Sequence, residues 1–206
     1  MIKALMVDVD GVLVCGRPID SNPWASCLDT DLGLSAADLH REFFLPYWDE
    51  IVVGKLGLVE SLEISLPKIA PELSIESLVR YWFENDSFIN MQLLNELKRY
   101  RANNIKIYLA TNQEHMRASY IMNELALSKY VDGIYYSAAL GYRKPSEEFF
   151  KAITSLSGFY PEELVLLDDT PLNVSTAQSL GWNACLWTND SFLEKELLKV
   201  SEPLKG

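Results

Sequence analysis

The chain has 206 residues, 49% of them hydrophobic and 23% charged, enough for one good core with or without a smaller insertion. Its net charge of −11 repels polyanions, so nucleic acid and anionic membrane are excluded as expected partners, and a small anionic substrate requires local positive charge or a metal ion. Cys15, Cys27 and Cys185 are too few and too far apart for a disulfide framework or a zinc site; with no signal-peptide pattern and no apolar run near the roughly 20 residues of a membrane span, a cytoplasmic protein is expected.

The first element is the apolar run Lys3–Val9, whose end carries two carboxylates, Asp8 and Asp10, just before Gly11. Such a short run, apolar on both faces, suits a strand buried in a parallel sheet. Residues 16–89 then contain no convincing strand but several amphipathic helix patterns. Ala36, Leu39, Phe43 and Tyr47 form one stripe and Val59, Leu62, Leu66 and Ile69 another. Ile75, Leu78, Val79, Trp82 and Phe83 form a third, with Ser35 and Ser74 placed as N-caps. About 70 residues are too many for a plain crossover between parallel strands, so a helical insertion is expected here.

From residue 90 onward strands and helices alternate. Leu93, Leu94, Leu97 and Tyr100 mark a helix, Ile105–Ala110 a strand, Gln113–Ala126 a helix and Gly133–Ser137 a weaker strand. Phe149, Phe150, Ile153 and Leu156 mark the next helix, Leu164–Leu167 a strand, Leu172–Leu180 a helix ending at Gly181, and Ala184–Trp187 a last strand. The alternation predicts right-handed βαβ units and a doubly wound parallel α/β sheet. The expected division is a core of residues 1–15 and 90–206 and a helical subdomain of residues 16–89.

Ligands of such sheets bind outside the carboxyl ends of the strands. The polar residues there are Asp8 and Asp10, Thr111 and Asn112, Lys144 in the Gly141–Pro145 loop, and Asp168, Asp169 and Thr170 with Asn173 one turn on. Clustered carboxylates repel unless a cation lies among them. Mg²⁺ suits them, since it takes one or two carboxylates and fills its other positions with water and phosphate. A carboxylate can then act as a nucleophile, while Lys144 and Thr111 supply donors for charge on phosphoryl oxygens.

DVDGVL, LATN, GYRKP and LLDDTPLN, in that order, resemble the four motifs of the haloacid dehalogenase-like hydrolases, and the insertion resembles that family's small helical cap. The resemblance implies a Rossmann-like core and a Mg²⁺-dependent phosphatase that forms an aspartyl-phosphate on a small phosphorylated metabolite. It implies Asp8 as nucleophile and Asp10 as acid and base, with the Asp10 backbone carbonyl on the metal. Thr111, Asn112 and Lys144 would bind the phosphoryl group, and Lys144 would also neutralise Asp8. Asp169 would be the acidic metal ligand, with Asp168 either a second ligand or its outer partner, and Asn173 stands where many members have another acid. The DDTPLN form most resembles sugar-phosphate phosphatases and the phosphatase domain of soluble epoxide hydrolases.

Phosphoryl transfer to a second substrate, as in a mutase, fits the same motifs. A haloacid dehalogenase fits less well, because a halide leaving group needs no proton and the second aspartate would be superfluous. A receiver domain would place its acidic pair at the first strand, and a catalytically silent relative would have lost Asp8, Lys144 or Asp169. Taken singly, Asp10-Gly11 reads as a turn, Thr111-Asn112 and Asp168-Asp169 as caps, and Lys144 as an exposed lysine. Arg143 reads as a surface or outlying residue, and His40 and His115 as helix surface. Arg17, Trp24, Tyr47, Trp48 and Lys55 lie where an insertion would approach substrate, but packing or solvated surface is their simpler role. A monomer or homodimer is expected.

Overall fold

Five short strands among the described residues form the scaffold: β1 (Ala4–Val7), β2 (Lys106–Thr111), β3 (Gly133–Tyr136), β4 (Leu164–Asp168) and β5 (Asn183–Leu186). They make one parallel sheet in the order β3-β2-β1-β4-β5 in a computed structural model that describes residues 1–201. The expected core span reaches residue 206, and its last five residues lie outside the described ones. The helices are α1 (Leu28–Leu32), α2 (Ala36–Leu39), α3 (Leu45–Ile51), α4 (Leu58–Ile69), α5 (Ile75–Asn85), α6 (Met91–Ala102), α7 (His115–Asn123), α8 (Ser137–Leu140), α9 (Glu147–Ser157), α10 (Pro171–Ser179) and α11 (Leu193–Ser201).

The alternation of strand side chains sorts the core into two faces. Leu5 and Val7 pack with Leu93 and Leu97 of α6, Ile121 of α7 and Leu193 of α11. Ala4 and Met6 point the other way, onto Phe149, Phe150 and Ile153 of α9 and Val174 and Ala177 of α10. Burial on both faces explains why β1 and β4 read as unbroken apolar runs. The chain winds outward from β1 to β3, then crosses back to β4, so the switch point lies between β1 and β4.

Helices α1 to α5, between β1 and α6, share a separate apolar cluster built on Leu28, Phe43, Leu62, Leu66, Leu78, Trp82 and Phe83. Ser35 and Ser74 cap as expected: their hydroxyls accept from the amides of Asp38 and Ser77. The stripe from Ala36 to Tyr47 is not one regular helix. A π turn at His40–Phe44 joins α2 to α3, and Ala36 is exposed. Pro46 has no N–H to offer the Glu42 carbonyl four residues earlier, and the turn just before it widens, with Leu45 N–H bonding His40. Trp24, Phe44 and Trp48 close around Trp82 with ring centroids 5.1 to 5.6 Å from it, so these aromatics are packing.

Two linkers connect these helices to the sheet and pair with one another. The outgoing one bonds the returning one through Cys15 N–H to Phe88 O (2.8 Å), Ser87 and Phe88 N–H to Gly16 O (3.1 and 3.0 Å) and Asn90 N–H to Leu13 O (2.9 Å). Asn90 also caps α6. Among the described residues no helix is long and apolar enough to cross a membrane.

Candidate active site

Asp8 follows β1 directly, and its N–H bonds Leu167 of β4 (2.9 Å), so it stands at the switch point. Asp168 ends the neighbouring β4, and Asp169 follows it. One carboxylate oxygen from each of Asp8, Asp168 and Asp169 lies within 4.8 Å of the others. That spacing is little wider than the roughly 4.2 Å between opposite ligands of an octahedral Mg²⁺ with bonds near 2.1 Å. Three of the strand-end carboxylates therefore lie together.

Lys144 is the buried cation among them, with Nζ 2.9 Å from Asp8 Oδ1 and 2.6 Å from Asp168 Oδ2. Burial works against its charge, yet the two carboxylates hold its pKa above the ordinary lysine value. Asn112 fixes the Lys144 backbone from both sides: Lys144 N–H donates to Asn112 Oδ1 (2.8 Å), and Asn112 Nδ2 donates to Lys144 O (3.0 Å). Asp168 is further held by Thr170 N–H and Asn173 Nδ2, both 2.9 Å from Oδ1. Both of its carboxylate oxygens are thus engaged, and Asn173 holds one of them in place.

Asp169 is exposed, and its carboxylate lies against Gly11. A Cβ on Gly11 would stand 2.2 Å from Asp169 Oδ2, and the backbone there has φ +79°. Both facts require glycine, and the short Asp-Gly turn is what leaves room for the Asp169 carboxylate. Thr111 is buried at the end of β2. Asp8, Asp10, Gly11, Thr111, Asn112, Lys144, Asp169, Thr170 and Asn173 line a polar cleft of about 350 Å³. A larger groove of about 740 Å³, against Val79, Phe83 and Tyr120, is apolar and lacks any such convergence.

Asp10 lies apart from the cluster. Its Oδ2 accepts from Gln113 Nε2 at 2.7 Å, and its carboxylate is not among the three that gather. Asp10 keeps exposed surface at the cleft wall but sits deep enough that burial raises its pKa, opposed by Arg117 and by the Gln113 amide. Burial also lifts Asp8 to about 7, against the pull of Lys144 and with the push of Asp168. Such a carboxylate shares its position with a proton unless another cation is present. Three oxygen donors, at least one of them destabilised as an anion, form a set that fits a hard divalent ion.

Gln113 and Arg117 were not singled out in the sequence, though each left a trace. Gln113 stands two residues after Thr111 in an extended segment and so shares its side of the chain. Arg117 precedes the buried Ile121 by one helical turn and so falls on the buried stripe of α7. Of the residues flagged in the insertion, Arg17 is buried beside Asp20 (3.6 Å) with Nε and Nη1 lacking hydrogen-bond partners. Lys55 is exposed and pairs with Glu50. Neither lines the cleft. Arg143 makes a 2.8 Å ion pair with Asp49 of α3, and His115 meets the Tyr136 hydroxyl at 3.2 Å.

A family model described as a haloacid dehalogenase-like hydrolase matches residues 2–181. A D-ribitol-5-phosphate phosphatase of Bacteroides thetaiotaomicron is 25% identical over 208 residues, covering 97% of this chain and 98% of the relative. A phosphorylated carbohydrates phosphatase of Thermotoga maritima is 24% identical over 188 residues, 87% of this chain and 82% of its own. Among solved structures, a family enzyme from Bacteroides thetaiotaomicron in complex with magnesium and inorganic phosphate superposes with a TM-score of 0.78 at 20% identity, over 95% of this chain and 98% of that one.

Proposed function

We propose, from the premise that the chain belongs to the haloacid dehalogenase-like hydrolase family, that it is a Mg²⁺-dependent phosphatase of small phosphomonoesters of the sugar-phosphate class. The observation that carries this reading is the gathering of Asp8, Asp168 and Asp169 within 4.8 Å, with Lys144 bridging Asp8 and Asp168. The two curated relatives named for phosphorylated sugars and sugar alcohols support the substrate class.

Asp8 and Asp169 are the carboxylates we assign to the metal, with the Asp10 backbone carbonyl beside them. Asp168 is assigned to the outer position, because its oxygens already hold Lys144, Thr170 and Asn173. When bound, the ion would neutralise charge on the phosphoryl oxygens and relieve the repulsion within the cluster.

A carboxylate oxygen of Asp8 forms a bond to phosphorus as the bond to the leaving oxygen breaks, and Asp10 gives that oxygen its proton. Asp10 then takes a proton from water, whose oxygen displaces Asp8 and releases inorganic phosphate. Lys144 favours the ionised form of Asp8 and faces the transferring charge, with the Thr111 hydroxyl and Asn112 N–H as further donors. Carboxylate acid catalysis is what an alkoxide leaving group demands, so Asp10 favours phosphoester over carbon–halogen cleavage.

Residues 16–89 are assigned as the cap of this cleft, over a core of 1–15 and 90–206. Support comes from their contact with the loops that carry the site. Asp49 pairs with Arg143, next to Lys144, and the Gly54 backbone approaches Ala138 so closely that a Cβ would lie 2.4 Å from its carbonyl. A phosphate-release screen over sugar and sugar-alcohol phosphates, with Mg²⁺ and with chelator, tests the assignment. Metal-dependent release by the wild type and none by Asp8→Asn is expected; equal turnover by folded Asp8→Asn refutes it.

A further inference from the structure

Among the described residues the largest fully buried side chain is a cation outside the acidic cluster, Arg117, which is 1% exposed. It reaches from the first turn of α7 to the end of α5. One guanidinium nitrogen donates to Phe83 O at 3.2 Å, and the other donates to Asp86 O and lies 3.4 Å from Asp86 Oδ2. The guanidinium also stands 5.3 and 5.5 Å from the ring centres of Phe83 and Tyr120. It therefore caps the carbonyl end of α5 from another element, where cations are favoured.

What Arg117 holds is the start of the return linker, and that linker is joined through the outgoing one to the turn that carries Asp10. Ser87 and Phe88 bond Gly16, Cys15 bonds Phe88, Val14 bridges both Ile89 and Asp10, and Gly11 N–H bonds Val14 O at 2.9 Å. The side chain of Asp10 is gripped from the same source, since Gln113, four residues before Arg117, bonds its carboxylate at 2.7 Å. Between them, Glu114 caps α7 through the amides of Met116 and Arg117 and fixes the orientation of that turn. The entry to α7 thus touches Asp10 by two routes, one at the carboxylate and one along the backbone of the paired linkers.

We propose that Arg117 is a positioning residue for Asp10: by clamping Phe83 and Asp86 it sets the linker that places the acid and base against the leaving group. The inference rests on the phosphatase reading above and deepens it. Arg117 is not among the residues that line the polar cleft, nor in the acidic cluster. Its loss would cost most where proton delivery limits the reaction. An alkyl phosphate needs a proton on its leaving oxygen, whereas p-nitrophenolate leaves with little help.

The test compares wild type, Arg117→Lys and Arg117→Met on p-nitrophenyl phosphate and on glycerol 2-phosphate with Mg²⁺, each variant first checked for a cooperative melt. For Arg117→Met, kcat/KM, which reports transfer to Asp8 and not the later attack of water common to both esters, should fall about 100-fold on the alkyl ester and less than about 10-fold on the aryl ester, with Arg117→Lys between. In an Asp10→Asn background the same Arg117 change should cost no more than about twofold further on the aryl ester, because residues acting as a unit are not additive. Equal losses of kcat/KM on both esters, or full additivity with Asp10→Asn, overturn the proposal. If Arg117→Met does not fold, Arg117→Lys carries the same leaving-group comparison. Should the wild type release phosphate from neither ester nor from any sugar phosphate, the failure belongs to the phosphatase reading instead.

Discussion

Replacing Lys144 by Met removes the one cation buried between Asp8 and Asp168, at 2.9 and 2.6 Å, and leaves a side chain of similar length. The two carboxylates are not equally exposed to the loss. Asp168 retains Thr170 N–H and Asn173 Nδ2, whereas Asp8 retains the Val9 N–H at 2.7 Å. Breaking a buried pair by removing one partner costs about 3–5 kcal/mol. Asp8 can escape part of that by taking up a proton: burial already lifts it to about 7 with Lys144 in place, and the variant must lift it further. A folded carboxylate with a pKa above its unfolded value binds more protons folded than unfolded. Stability in that window therefore falls as pH rises. Urea unfolding in EDTA should show a loss of about 3 kcal/mol or more at pH 8, shrinking by about 1–2 kcal/mol at pH 5.5. A loss below about 1 kcal/mol at pH 8, or one that grows on acidification, would refute the claim that Lys144 is what makes the carboxylate cluster tolerable.

The remaining predictions concern the cluster without Lys144 changes. Asp8→Asn should raise the melting temperature in EDTA by removing one negative charge, and should abolish most of the further rise produced by Mg²⁺; scanning calorimetry with and without metal checks both. Because a proton and Mg²⁺ compete for Asp8, the apparent Mg²⁺ affinity of the wild type should weaken by up to about tenfold per pH unit below about 7, as titration calorimetry would show. Gly11→Ala must push Asp169 aside, since the new methyl would lie 2.2 Å from Oδ2 at φ +79°, and should cost about 1–2 kcal/mol of stability. The same variant should bind Mg²⁺ at least about tenfold more weakly; unchanged metal affinity would remove Asp169 from the ligand set.

The sheet was legible in the sequence because its physics is local. Strands covered on both faces must be apolar throughout, and Leu164–Leu167 or Ile105–Ala110 could hardly read otherwise. The strand limits move by a residue or two, with β4 running on to Asp168 and β2 to Thr111, because a ladder hydrogen bond ignores the change from apolar to polar. The candidate site residues were legible for a related reason. Asp10 read alone is a turn residue and Asp169 a cap, but carboxylates closing separate apolar strands are costly together, so Asp8, Asp10 and Asp169 stand out as a set without coordinates.

Only the tertiary structure decided which partners these residues have. Gln113 meets Asp10 across 103 positions, and Arg117 meets Phe83 across 34, and a helix entry alone cannot disclose either. The π turn before Pro46 was hidden as well, since a regular 3.6-residue period was assumed through it. Asp168 and Asp169 are adjacent and chemically identical, yet one is wholly engaged by Lys144, Thr170 and Asn173 while the other faces the cleft under Gly11. Composition and period determine which elements form and which chemistry they carry, because burial acts on each residue separately. Pairing depends on where distant segments of one chain come to rest, and that is settled by packing.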